Sequence, residues 1–182
     1  MTDFKFELSP EEKKYLKDIA FLSIKSRFDP QIKLPEPPTR RLEEHLGAFV
    51  TLKIRGRLRG CIGHITGDRP VWKTVASMAA QSAFNDPRFS PLTEQETGQL
   101  ELEISILSPL SIVENVDNII PGKHGLMIIK NDASGLLLPQ VASERNWDRE
   151  TFLANTCFKA GLKGNCWQDP DARIFQFQAE IF

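Results

Sequence analysis

The chain reads as an α+β protein with a largely antiparallel sheet flanked by helices. Two observations predict that class: the strands come as hairpins, and the helices fall between groups of strands. No internal repeat or low-complexity tail competes with it. At 182 residues the sequence is long enough to bury a core without staples. It is expected to form a single domain over residues 8–182, or two intimate lobes with the smaller built mainly from the middle of the chain.

The elements follow in order. In "SPEEKKYLKDIAFLSIKSRF" Ser9 caps a helix, Pro10 fits its first position and Glu12 completes a capping box. Tyr15, Leu16, Ile19, Ala20, Ser23 and Ile24 form its core stripe, and Asp29-Pro30 ends it. The proline-rich "PQIKLPEPPTRR" is an extended connector. Val50, Leu52 and Ile54 alternate with Thr51 and Lys53 in a half-buried strand, and Arg55-Gly56 makes the hairpin turn. In the return strand, alternation puts Leu58, Gly60 and Ile62 on one face and Arg57, Arg59 and Cys61 on the other. A second helix starts near Pro70, with small residues that suit close packing, and "NDPRFSPLT" is a rigid loop. "LELEISIL" is a strand with Leu100, Leu102, Ile104 and Ile106 inward and Glu101, Glu103 and Ser105 on the opposite face. "HGLMIIK" and "GLLLP" flank the turn "NDASG". A third helix is capped by Asp148, buries Phe152, Leu153, Thr156 and Cys157, and stops at Gly161. The end, "RIFQFQAEIF", alternates with Phe175, Phe177, Ala179 and Ile181 on one face and Gln176, Gln178 and Glu180 on the other.

Composition narrows the function classes. Net charge is −1, from 23 basic and 24 acidic residues, so a general nucleic-acid or membrane-surface coat is disfavoured and any such contact must be local. Arg55, Arg57 and Arg59 make one local basic patch, which a solvated strand edge also explains. No apolar run approaches membrane-spanning length. The polar start "MTDFKFELSPEEKK" does not read as a signal peptide. Three cysteines, odd in number and widely spaced, do not read as a disulfide framework, so the expected setting is a reducing cytosol.

Several motifs resemble those of the AMMECR family, named for a chromosomal region linked to Alport syndrome, midface hypoplasia and elliptocytosis. "LRGCIG" (Leu58 to Gly63) is similar to the family's hallmark hexapeptide. "NDPRFSPLT", "LELEISILSPL", "GKHGLMI", "GLLLPQVA" and "WDRETFLANTCFKAGL" follow in the family's order, ahead of the closing aromatic strand. The resemblance implies two unequal lobes with a cleft between them and an intracellular, cytoplasmic protein. It also implies an AmmeMemoRadiSam setting, with a Memo-type protein and a radical-SAM enzyme as partners. It names no reaction and no cofactor.

The candidate site centres on Cys61, as a thiol nucleophile or ligand in a cleft that takes a small anionic or nucleotide-like molecule. Arg59, one residue away on the expected shared face, would hold the anion and support a thiolate. Gly60 and Gly63 would let the ligand approach. His64 falls on the wrong face for Cys61 unless the strand bends, and His124, in a glycine-flanked loop, is the other candidate histidine for it. Glu103 is the candidate acid or base, or a partner of Arg59 or Arg88, and Gln140 matches a family motif. A structural metal is disfavoured: Cys61-x-x-His64 offers two donors, but Cys157 and Cys166 lack paired close spacing. Two other readings stay open: a non-catalytic module docking to one of those partners, and a strand packed tightly under a helix.

Overall fold

The computed structural model describes residues 7–182, so the first part of the polar N-terminal stretch lies outside the described residues. The chain divides into two compact units: one runs to Leu107 and adds Glu180–Phe182, and the other is Ser108–Ala179. The elements are α1 (Pro10–Lys25), β1 (Gly47–Ile54), β2 (Arg57–His64), α2 (Val71–Phe84), β3 (Leu100–Leu107), β4 (Ser111–Ile112), β5 (Gly125–Lys130), β6 (Ala133–Leu137), α3 (Pro139–Glu144), α4 (Arg149–Lys159), β7 (Arg173–Phe177) and β8 (Ala179–Ile181).

In the first unit α1 begins as expected. Ser9 Oγ accepts the Glu12 N–H at 3.2 Å and the Glu12 carboxylate accepts the Ser9 N–H at 2.8 Å. The sheet order is β2-β1-β3-β8, so β2 is an edge strand. β1 pairs antiparallel with both β2 and β3. One sheet face carries Ala48, Val50, Leu52, Ile104 and Ile106, which join Leu16, Ile19 and Ile24 of α1 and Val75 and Ala79 of α2 in one core. Burial of this kind contributes roughly 1.5–3 kcal/mol per large aliphatic side chain. The hairpin turn has both residues left-handed, Arg55 at φ 52° and Gly56 at φ 71°, as a primed two-residue turn requires.

The strict alternation expected along β2 fails at Arg59. The register runs Leu52 opposite Gly60 and Lys53 opposite Leu58, so one extra residue sits in β2. Such a bulge shifts the face of every residue on one side of it. Leu58, expected to share a face with Gly60, therefore lies opposite Lys53 and is 43% exposed.

The second unit holds a sheet of order β4-β7-β5-β6. Leu126, Ile128 and Ile174 pack with Ala142 of α3 and Phe152, Leu153 and Cys157 of α4. Asp148 caps α4 by accepting the Thr151 N–H at 2.8 Å, and Gly161 ends it with φ 74°. Two expectations are corrected here. The closing segment, expected to alternate as one strand, is split into β7 in this sheet and β8 in the sheet of the first unit. In β7, Gln176 lies opposite Leu126 and Ile174 opposite Ile128, so the Gln176 face is the core face. Cys157 and Cys166, read as unpaired thiols, form a disulfide. The turn at Gly161 brings the Cys166–Gln168 3-10 segment back against the end of α4, which the spacing of nine residues does not reveal.

Candidate functional site

Cys61 is the free cysteine among the described residues, and it is half-buried. Its position follows from the register. Cys61 lies opposite Thr51, and Thr51 lies opposite Glu103, so the three side chains form a row across β2, β1 and β3. The row sits on the sheet face away from the α1 and α2 core, with Lys53 two residues along β1. Thr51 Oγ1 donates to Cys61 Sγ at 3.3 Å, which fixes the thiol's orientation. Lys53 Nζ meets Glu103 Oε2 at 2.9 Å, and both side chains are about one-third exposed (35% and 36%). An ion pair this open contributes only about 0–1 kcal/mol and exchanges partners readily.

The backbone of Cys61 is held from outside the sheet. As a residue of an edge strand, it turns its N–H and C=O away from β1, where they would otherwise be unpaired. Asp86 Oδ2 accepts the Cys61 N–H at 2.9 Å, and Arg88 Nη2 donates to the Cys61 carbonyl at 3.1 Å. Asp86 and Arg88 are bound to each other as well, through Arg88 Nε at 2.9 Å and Nη2 at 2.6 Å. The Arg88 guanidinium holds the Asp86 carboxyl well below the usual carboxylate range, helped by the N–H groups of Cys61 and Arg88 and opposed by burial. One further hydroxyl enters the sheet: Ser82 Oγ accepts the Ile62 N–H and donates to the Val50 carbonyl, each at 2.8 Å.

The other expected residues have other neighbours. Arg59 does not accompany Cys61. Its guanidinium pairs with Glu96 (Nε–Oε1 2.8 Å, Nη2–Oε2 3.1 Å) and donates to the Ser90 carbonyl at 2.9 Å. That pairing, with the Thr93 N–H and hydroxyl, lowers the Glu96 carboxyl to about 2. Glu103, expected to pair with Arg59 or Arg88, pairs with Lys53. Gly60 and Gly63 were expected to open the face to a ligand, but each already has an intramolecular occupant. A β-carbon at Gly60 would lie on the Ser82 carbonyl oxygen of α2, and one at Gly63 would enter the Phe49 ring. His64 pairs with Ala48 in an unbroken register, so it stays on the face opposite Cys61, with Asp68 3.8 Å from its Nδ1.

His124 and Gln140 belong to the second unit. His124 is 8% exposed, and its Nδ1 accepts the Ile120 N–H at 3.1 Å, which braces the turn before β5. Gln140, on α3, has a buried Oε1 without a hydrogen-bond partner. Among the described residues no three His, Cys, Asp or Glu side chains converge as a metal site, and no helix is long and apolar enough to cross a membrane.

Asp86, Thr51 and Ser82 are the residues that sequence reasoning missed. Only Asp86 left a signal: in "NDPRF" an acid and a base flank a proline, a spacing that lets Asp86 and Arg88 close on each other. Thr51 and Ser82 read as ordinary strand and helix residues.

Known proteins are similar to this chain over most of its length. The AMMECR1 family model matches residues 17–182. A protein of Methanothermobacter thermautotrophicus is 39% identical over 183 aligned residues, covering 96% of this chain and 95% of its own length. A protein of Thermococcus kodakarensis is 43% identical over 161, covering 83% and 78%. The crystal structure of an uncharacterised protein from Pyrococcus horikoshii superposes with a TM-score of 0.85 at 39% identity, over 97% of this chain and 93% of that one. The chain belongs to the AMMECR1 family.

Proposed function

We propose that the polar face of the first sheet is a small-ligand site in which Cys61 is the reacting or ligating thiol. The observation that carries this reading is the row Cys61–Thr51–Glu103, which sets a thiol, a hydroxyl and a carboxylate side by side on a face that the helices leave uncovered. Cys61 and Glu103 are two strand spacings apart, roughly 10 Å between backbones, so a ligand lying over Thr51 would touch both. In that position Cys61 Sγ attacks or ligates, and Glu103 accepts or returns a proton. The Thr51 hydroxyl, both donor and acceptor, stands between them. Lys53 supplies positive charge and can exchange Glu103 for an anionic group on the ligand. Arg59, first read as the anion holder, is committed to Glu96 and acts as a positioning residue. This reading uses neither His124 nor Gln140.

The test is protection of Cys61 from iodoacetamide in the folded protein by fractions of a small-molecule cell extract, followed by mass spectrometry. A fraction that slows alkylation about tenfold in the natural protein, and much less in Glu103→Gln, supports the site. If no fraction protects, and a folded Cys61→Ser variant instead loses binding to a Memo-type or radical-SAM partner, the face is a docking surface and the thiol reading fails.

A further inference from the structure

A groove lies at the turn end of the β1–β2 hairpin, lined by Ile54, Arg55, Arg57, Glu96 and Gln99, with a volume of about 590 Å³. That size falls inside the range of small-molecule sites, roughly 300–1,000 Å³. Its walls are braced. Glu101 Oε1 accepts the Gly56 N–H at 3.2 Å and ties the hairpin tip to β3. Arg59 reaches from β2 to Glu96 and the Ser90 carbonyl and ties down the 3-10 segment Glu94–Gln99 that forms the facing wall.

The charge in the groove is positive. Glu96 is the acid of the lining, and its carboxylate is already met by Arg59 and by the Thr93 N–H and hydroxyl. Arg55 and Arg57 are exposed, and neither is in an ion pair among the described residues. Arg55 also holds φ 52°, a conformation that Asn, Asp or Gly takes with less strain in such a turn. Its side chain is thereby presented at the groove at some conformational cost.

We propose that this groove binds a phosphate-bearing small molecule, with Arg55 and Arg57 offering their guanidinium forks to the phosphate oxygens and Gln99 an amide N–H. Guanidinium pairs suit phosphate because each fork makes two parallel charge-assisted hydrogen bonds. A long polyanion fits less well, because the Glu101 carboxylate sits at the hairpin tip beside the two arginines and would repel further phosphates. The site does not depend on the chemistry of Cys61.

Calorimetric titration of the full chain with inorganic pyrophosphate in about 0.1 M salt tests it. Saturable one-to-one binding is expected. It should weaken about tenfold or more in Arg55→Gln/Arg57→Gln and change less than about twofold in Cys61→Ser and in Arg145→Gln, a basic-residue control in the second unit. Absence of saturable binding, or an equal loss in Arg145→Gln, overturns the proposal. So does a short single-stranded DNA that binds about a hundredfold more tightly than pyrophosphate through the same two arginines, because the groove would then be a nucleic-acid contact. Circular dichroism confirms that the variants are folded. Loss of pyrophosphate binding with Cys61 still protected by a ligand removes this site alone, and the converse removes the thiol site alone.

Discussion

Replacing Asp86 with alanine isolates the clasp that holds Cys61. The carboxylate is 2% exposed and accepts four hydrogen bonds: Cys61 N–H at 2.9 Å, Arg88 N–H at 3.1 Å, Arg88 Nε at 2.9 Å and Arg88 Nη2 at 2.6 Å. Arg88 is 54% exposed, so its guanidinium regains water and the loss of that pair costs only about 1 kcal/mol. The two backbone N–H groups lose a charged acceptor, at about 1–1.5 kcal/mol each. The sum is about 3–4 kcal/mol, which for a chain of this size lowers Tm by about 10 °C. Thermal unfolding followed by circular dichroism measures it, and amide exchange at Cys61 gives the local reading. Asp86→Asn, which keeps an acceptor, should lose about half as much. A Tm within about 2 °C of the natural protein, with Cys61 amide exchange unchanged, refutes the clasp.

Other outcomes follow from the same contacts. Gly60→Ala should destabilise by about 2–3 kcal/mol in a denaturant titration, because the new methyl meets helix backbone at Ser82. Gly63→Ala should destabilise as well, because the new methyl lies on Phe49 Cγ, which turning the ring does not move. Asp86 and Glu96 both have folded-state carboxyls lowered below their unfolded values, Glu96 to about 2. Protons therefore bind the unfolded chain first as pH falls. The stability from these two groups is complete above about pH 5 and declines as pH drops through about 4 towards 2, measurable as Tm against pH. Thiol counting in denaturant should give one thiol per chain before reduction and three after, and reduction should cost about 2–3 kcal/mol for so short a loop.

The helices and the first hairpin were legible because local rules determine them. Ser9 and Glu12 cap α1, Asp148 and Gly161 bound α4, and Arg55-Gly56 turns the hairpin, each through contacts a few residues apart. Period-two reasoning also placed Cys61 opposite His64 in facing, and the unbroken register from Gly60 to His64 agrees. It failed at Arg59, because a bulge adds a residue without any change in residue pattern that alternation can detect. It did not assign the inward face of β7, where Gln176 takes a core-facing position beside Leu126, because Phe177 on the other face is buried as well. The clasp from Asp86 and Arg88 spans about 25 residues of sequence and exists only because β2 is an edge strand. The disulfide depends on a chain reversal that cysteine spacing does not encode.

As proposed, Cys61 is an accessible, held thiol on a ligand-facing surface of the native fold. The rate of iodoacetamide labelling at Cys61, measured under conditions where the protein stays folded and repeated with a stabilising salt, tests it most directly. Full labelling of Cys61 is expected at a rate that the stabilising salt leaves unchanged, because reaction occurs in the native state. Labelling that appears only on unfolding, and slows in step with added stability, contradicts it.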